Sequence, residues 1–276
     1  MPSPAPKRIA IPRYPAGKRI AATFSFDDGT IFDRDLIELF NRLGLRGTWN
    51  LNSGTLGSSP RHISREEVAP LFAGHEVAIH TVTHPWLERL EETQIATEVL
   101  DDRRALEDLA GYPVRGMAYP FGTYNARVIE VLRALRVEYS RTVAKVPDPY
   151  PAGEPLAWGS SGHQYQRNEA GQYLVPQEFV RRYEKGESFC LYVWGHSYEF
   201  EGKWADAEAI FTPLAGKSDV WYCTNIELWD YAAGRKAVVV AANRRTAYNP
   251  SAIPVTLKVD GREVVAAPGA VTSLAG

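Results

Sequence analysis

Apolar residues along this chain gather into short β-prone runs, and the stretches between them carry helical spacing. Ile20 to Phe26 is the first run and stops at a sharp turn signal, Asp27-Asp28-Gly29. Asp33 to Leu43 then places Leu36, Leu39, Phe40 and Leu43 on one face, with Asp33 positioned to cap the helix and Gly44 to end it. Arg46 to Leu51 reads as a second strand. Ser64-Arg65-Glu66-Glu67 is a capping-box pattern that opens a helix to about Ala73, and Glu76 to Ile79 is a third strand.

The alternation continues. A long amphipathic helix is predicted over Glu92 to Ala110, closed by Gly111. Strands are predicted over Arg115–Tyr119, Val137–Val143, Ser188–Trp194 and Asp219–Cys223, and helices over Asn125–Leu135, Pro176–Lys185, Lys203–Ala215 and Ile226–Ala233. Residues 147–171, rich in Pro, Gly and Ser, read as a long loop over one face. Seven strand–helix units predict a parallel sheet, open or closed into a barrel. After Gly234 the pattern changes to short β-prone runs, Ala237–Ala242, Val255–Val259 and Glu263–Ala266. The expected division is an N-terminal arm over 1–19, a barrel over 20–235 and a small β appendage over 236–276.

In a barrel of parallel strands, the residues just past each strand's C-terminal end share one mouth. Those positions hold Asp27 and Asp28, then His80 and His84, then Tyr119-Pro120-Phe121-Gly122, Arg141 and finally His196. Two imidazoles and one carboxylate can hold a divalent ion and leave positions open for water and substrate. A second carboxylate can then act as a base towards water. Taken alone, His-x-x-x-His is as readily chance spacing, and Asp-Asp-Gly as readily a turn with a helix cap. Their joint placement is what gives them weight.

The stretch Thr23-Phe24-Ser25-Phe26-Asp27-Asp28-Gly29, followed by His80-Thr81-Val82-Thr83-His84, resembles the first two motifs of the polysaccharide deacetylases, the NodB-homology proteins of carbohydrate esterase family four. The resemblance spans roughly residues 20–233. It implies an α/β fold, a distorted, incomplete (β/α)7 barrel, to which the pattern after Gly234 adds the small C-terminal β appendage. The implied activity is metal-dependent removal of N-acetyl, or O-acetyl, groups from a carbohydrate. By position, Asp28, His80 and His84 would bind one divalent ion, expected as zinc with cobalt, nickel or manganese as alternatives. Asp27 would be the general base and Thr81 a hydroxyl holding the ligand turn in shape. His196, in Leu191-Tyr192-Val193-Trp194-Gly195-His196, would protonate the leaving group.

Later motifs depart from the family. Ala118-Tyr119-Pro120-Phe121-Gly122 stands where an arginine and a tyrosine are usual, so the base-orienting arginine is missing from its place. The backbone N–H of Phe121 could still donate to an oxyanion. Arg115 and Arg141 are candidate substitutes, and Tyr119 and Trp194 are further candidates beside the site or against substrate. The family's Asp-containing fourth motif is absent; Tyr139-Ser140-Arg141-Thr142 stands in that region. His163 could reach the mouth from the long loop, and Tyr198 or Glu199 could orient His196, although ordinary loop roles suit all three. His62 and His75 read as surface or capping histidines. Among Trp49, Trp86 and Trp194, one or two are expected as sugar-stacking surfaces and the rest as core.

Composition narrows the alternatives. The chain has 276 residues, 45% of them hydrophobic, with a formal net charge of −2. That balance gives no general attraction to nucleic acid or an acidic membrane, and no apolar run reaches the roughly 20 residues of a membrane helix. The expected partner is an acetylated glycan or oligosaccharide. Met1 to Lys18 lacks the apolar core of a secretory signal, so the chain as given is expected in the cytoplasm, or outside the cell if a leader has been removed. Cys190 and Cys223 lie in apolar runs and are expected as buried free thiols rather than a disulfide. Two other readings stay open: a related hydrolase of a non-glycan C–N bond, such as a cyclic imide or ureide, and a non-catalytic glycan-binding relative. A non-haem iron oxygenase, which shares the two-His, one-carboxylate set, does not suit seven βα units.

Overall fold

Residues 8–274 are described by a computed structural model of the chain. Residues 1–7 of the expected arm and 275–276 of the expected appendage lie outside the described residues. After a short strand β1 (Ile9–Ala10), the central strands are β2 (Ile20–Asp27), β3 (Thr48–Leu51), β4 (Glu76–Ile79), β5 (Gly116–Ala118), β6 (Tyr139–Lys145), β7 (Trp158–Ser160), β8 (Gly162–His163), β9 (Phe189–Gly195) and β10 (Val220–Tyr222). Helices α1 (Asp33–Leu43), α2 (Val68–Leu71), α3 (Glu92–Ala110), α4 (Ala126–Ala134), α5 (Leu174–Glu184), α6 (Trp204–Phe211) and α7 (Asn225–Ala237) alternate with them. Among the described residues, the sheet order is β7-β6-β5-β4-β3-β2-β9-β8, all pairs parallel. One edge of β2 is shared: its first half pairs with β10 and its second half with β3.

The two ends of this sheet are consecutive in the chain. Residues 158–163 form a single run broken at Ser161, one half pairing with β6 and the other with β9. The ladder is interrupted there, leaving the distorted, incomplete barrel of the expected class. The stretch read as an unstructured loop therefore contains the barrel's seam. Strands of two and three residues are too short to show alternation, and their parallel partners are distant in sequence, so no local pattern announces them.

Side chains sort by parity along the strands, as the pleat requires. Ile20, Ala22, Phe24 and Phe26 of β2, with Trp49, Val77, Ile79, Leu191 and Val193, join the helices in the main core. Phe40 of α1 meets Phe24 and Phe211 edge-on there, at centroid distances of 5.1 and 5.0 Å; such contacts are each worth about 0.5–1.5 kcal/mol beyond burial. The alternate residues, including Ala21, Tyr139, Cys190 and Tyr192, form a second cluster with Cys223. Both cysteines are buried and free. The same parity carries Thr23, Ser25, Asp27, Asn50, Glu76, Tyr139 and Tyr192 into buried hydrogen bonds. Gly116 is needed in this row because a Cβ there would lie 2.1 Å from the Tyr139 ring.

Several local expectations change. Asp33 does not cap α1; Phe32 is the cap residue and Asp33 is the first helical residue, wholly buried. Gly44 does close α1 in the left-handed conformation. The Ser64 capping box forms, but it opens a single 3-10 turn followed by the four-residue α2. Helix α7 runs past Gly234 to Ala237, where the sequence pattern had changed character. Beyond it, among the described residues, lie five strands rather than three: β11 (Val239–Val240), β12 (Thr246–Asn249), β13 (Val255–Val259), β14 (Arg262–Ala266) and β15 (Ala270–Ser273). They form two small antiparallel sheets, and β1 from the N-terminal region pairs with β13 in one of them. No helix among the described residues is long and apolar enough to cross a membrane.

Candidate active site

Asp27, Asp28, His80, His84 and His196 meet at the C-terminal ends of β2, β4 and β9. The Asp28 Oδ1 atom lies 3.6 Å from His80 Nε2 and 3.7 Å from His84 Nε2. His196 Nε2 stands 4.0 Å from an oxygen of each aspartate. The backbone is unusually strained here: Asp28, Thr81, His84 and Phe121 all have positive φ, from 57° to 83°. Non-glycine residues rarely adopt that region, at a cost of about 1–3 kcal/mol each, and they persist where surrounding contacts over-determine them.

Those contacts can be named. His80 Nδ1 lies 2.8 Å from the Ala118 carbonyl, which can only accept, so Nδ1 carries a proton and Nε2 is the nitrogen turned to Asp28. Thr81 Oγ1 accepts from His84 N at 3.1 Å and closes the turn. Asn52 Nδ2 donates to the His80 and Thr81 carbonyls at 2.5 and 2.9 Å. The buried Asp102 of α3 accepts from Ser53 N at 2.7 Å and His80 N at 3.0 Å. Burial pushes its carboxyl up to about 7. Sequence reasoning missed Asn52 and Asp102. The parity of β3 could have flagged Asn52, but Asp102 looks like any charged position of an amphipathic helix.

The donor set fits a divalent ion. One carboxylate oxygen and two imidazole nitrogens lie within 4.8 Å of one another. Tetrahedral zinc with ligands about 2.0–2.1 Å away separates them by about 3.3 Å, so the 3.6 and 3.7 Å spacings from Asp28 to the two imidazoles need only a small contraction. Burial and the neighbouring His80 hold the His84 ring below its usual value, in the neutral form a metal requires.

Comparison with known proteins gives the same direction. The sequence profile described as "Polysaccharide deacetylase" matches residues 14–140. That segment, a little under half of the chain, is similar to the polysaccharide deacetylases. The chitooligosaccharide deacetylase of Bradyrhizobium sp. is 26% identical over 193 residues, 58% of this chain and 85% of that protein. A peptidoglycan-N-acetylglucosamine deacetylase of Listeria monocytogenes is 25% identical over 138 residues, 49% of this chain; the chain spans only 29% of that relative's length. A crystal structure from Mycobacterium smegmatis, classed with the polysaccharide deacetylases, shares the fold at a TM-score of 0.61, with 18% identity over 82% of this chain and 94% of that one.

With alanine at 118, the position of the arginine matters most. Arg141 of β6 sits directly opposite Ala118 in the strand register and reaches Asp27 Oδ2 through its Nη2. Both residues are buried. The other Asp27 oxygen accepts from Asn50 Nδ2 at 2.8 Å. Burial would raise the Asp27 carboxyl, but the charges of Arg141, His80 and His196 and the Arg141 hydrogen bond outweigh it, so Asp27 is held below its usual value. Arg115 does not join the site. It lies just before β5, at the opposite end of the strand, paired with Asp230 and Glu138.

Tyr119 is a second correction. Its ring belongs to the main core and its hydroxyl donates to the Leu156 carbonyl at 2.7 Å, tethering the seam segment instead of facing the mouth. Trp194 lies under the Arg141 guanidinium, 4.9 Å from its carbon. Phe121 is 45% exposed, meets His84 edge-on at 4.5 Å and stacks flat on Trp86 at 3.9 Å. Trp49 is buried in the core. His75 is buried against Asn41 and Trp49, and His62 bonds Ser59 near the surface. His163 does reach the mouth, beside Trp194 and Glu199. Burial lowers His196, but the Glu199 hydrogen bond and the charges of Asp27, Asp28 and Glu199 leave it raised overall.

Proposed function

We propose that this chain is a hydrolase that removes acetyl groups from an acetylated carbohydrate, with N-acetyl groups as its main target and O-acetyl groups as a further possibility. The observation that carries this reading is the pairing of two aspartates with unlike surroundings. Asp27 is fixed by Arg141 and Asn50, whereas the adjacent Asp28 turns to His80 and His84. A base and a metal ligand need those different settings.

Asp28, His80 and His84 would hold a divalent ion, expected as zinc, which supplies Lewis-acid polarisation of the acetyl carbonyl and makes water more acidic. Arg141 keeps Asp27 ionised and aimed, so that its carboxylate can take a proton from the attacking water. The Phe121 backbone N–H would donate to the oxygen that gains charge. His196 would hand a proton from Nε2 to the leaving amine or alkoxide. The flat face made by Trp86 and Phe121 suits stacking against a sugar ring. Residues 20–235 act as the catalytic barrel in this reading, with 236–276 an appendage.

Acetate release from N-acetylated chito-oligomers, measured with metal content by elemental analysis, tests the proposal. Asp27→Asn should lose activity by about 10²–10⁴-fold, the usual contribution of a general base, and retain its metal. Full activity in that variant would remove Asp27 from the mechanism. Ring opening of a cyclic imide without acetate release from any acetylated glycan would replace the substrate class.

A further inference from the structure

The barrel's seam brings His163 and Gln164 against the turn that follows β9, and between them they hold one carboxylate. Glu199 Oε2 accepts from Gln164 Nε2 at 2.7 Å, from His163 Nε2 at 3.1 Å and from His196 N at 3.2 Å. The same oxygen lies 3.5 Å from His196 Nδ1, a buried atom. His196 therefore presents Nδ1 to Glu199 and Nε2 to Asp27 and Asp28.

The protons can be placed. His163 Nδ1 accepts from Tyr165 N at 3.3 Å, so a neutral His163 carries its proton on Nε2 and donates it to Glu199. Gln164 also donates to the His196 carbonyl at 2.8 Å, fixing the backbone on which the imidazole turns. His163, His196 and Glu199 are spaced closely enough to suggest a second cation site. The donor count argues against it: Glu199 Oε2 already receives three N–H groups, and the His163 nitrogen that faces it is the protonated one.

We infer that Glu199 is the positioning residue for the proton donor, locked by His163 and Gln164, so that closure of the barrel at its seam sets the aim of His196 Nε2. A carboxylate on Nδ1 fixes both the tautomer and the ring orientation, the requirement for an imidazole that must deliver a proton from its far nitrogen. This inference rests on the reading of His196 as general acid.

The test compares two substrates on one protein. On an N-acetylated chito-oligomer, whose amine must be protonated to leave, Glu199→Gln should lower kcat by roughly 10–100-fold with KM within about twofold. On p-nitrophenyl acetate, whose leaving group needs no proton, the loss should shrink to about threefold or less. His163→Leu should follow the same split more weakly, and His163→Gln, which keeps an N–H donor, should recover part of the loss. Equal losses on both substrates would make Glu199 a structural residue and overturn the inference. Metal content separates the remaining alternative: one ion per chain in wild type and His163→Leu supports positioning, whereas a second ion lost in His163→Leu overturns it. A wild-type protein that releases acetate from neither substrate fails the proposed function itself, a different outcome from either of these.

Discussion

The Arg141 guanidinium meets the Asp27 carboxylate inside the barrel, although the two residues are 114 positions apart. Strand register explains the contact: Arg141 faces Ala118 across β5 and β6, so a small side chain on one strand leaves room for the long one beside it.

Breaking that pair should be costly. Both partners are buried, and removing one leaves the other as an uncompensated charge worth about 3–5 kcal/mol. Arg141→Met should destabilise the fold by that amount in denaturant unfolding, and adding Asp27→Asn should restore a substantial part. The sign with pH follows from Asp27, whose carboxyl is held below its usual value. The pair's contribution is present above the unfolded carboxyl range and is lost only as pH falls through the lowered value. The gap between wild type and Arg141→Met should therefore narrow on acidification.

Asp102 supports the ligand turn without touching substrate. Asp102→Ala leaves Ser53 N without that acceptor and His80 N with the Leu51 carbonyl alone, at 3.1 Å. The expected result is a 10–100-fold weaker metal affinity, the order typical of outer supporting groups, with a loss of roughly 1–3 kcal/mol in stability. Competitive chelator titration reads the first and thermal unfolding the second. Unchanged affinity would separate the α3 contact from metal binding.

Asp33 gives a pH signature of the opposite sign. Burial, helped by the negative charges of Asp28 and Asp27, pushes its carboxyl up to about 8, and neither of its oxygens has a hydrogen-bond partner among the described residues. An acid raised in the folded state keeps its proton while the unfolded chain has lost it, so stability is lost as pH rises from about 4 towards 8. Asp33→Asn has no proton to lose there. Its stability relative to wild type should improve between pH 5 and pH 8 in urea unfolding; a pH-independent difference would refute the assignment.

The sequence by itself determined the parts whose signal is local. Alternating βα units gave the parallel sheet, and the turn after β2 with the His80–His84 pair gave three candidate ligands and a base at neighbouring strand ends. The positions of Gly44 and Ser64 were legible because caps are set by backbone chemistry within a few residues. Tertiary structure decided the rest. The choice of Arg141 over Arg115 and the turning of Tyr119 into the core depend on parity and on which end of β5 each residue occupies. The seam at residues 158–163 depends on pairing between strands too short to carry a pattern. Asp102 acquires its place only when a helix is brought against a loop far away in the chain, and Glu199, already near His196 in sequence, gains His163 and Gln164 in the same way. A side chain's chemistry is written in the sequence; its partner is fixed by the register and closure of the barrel.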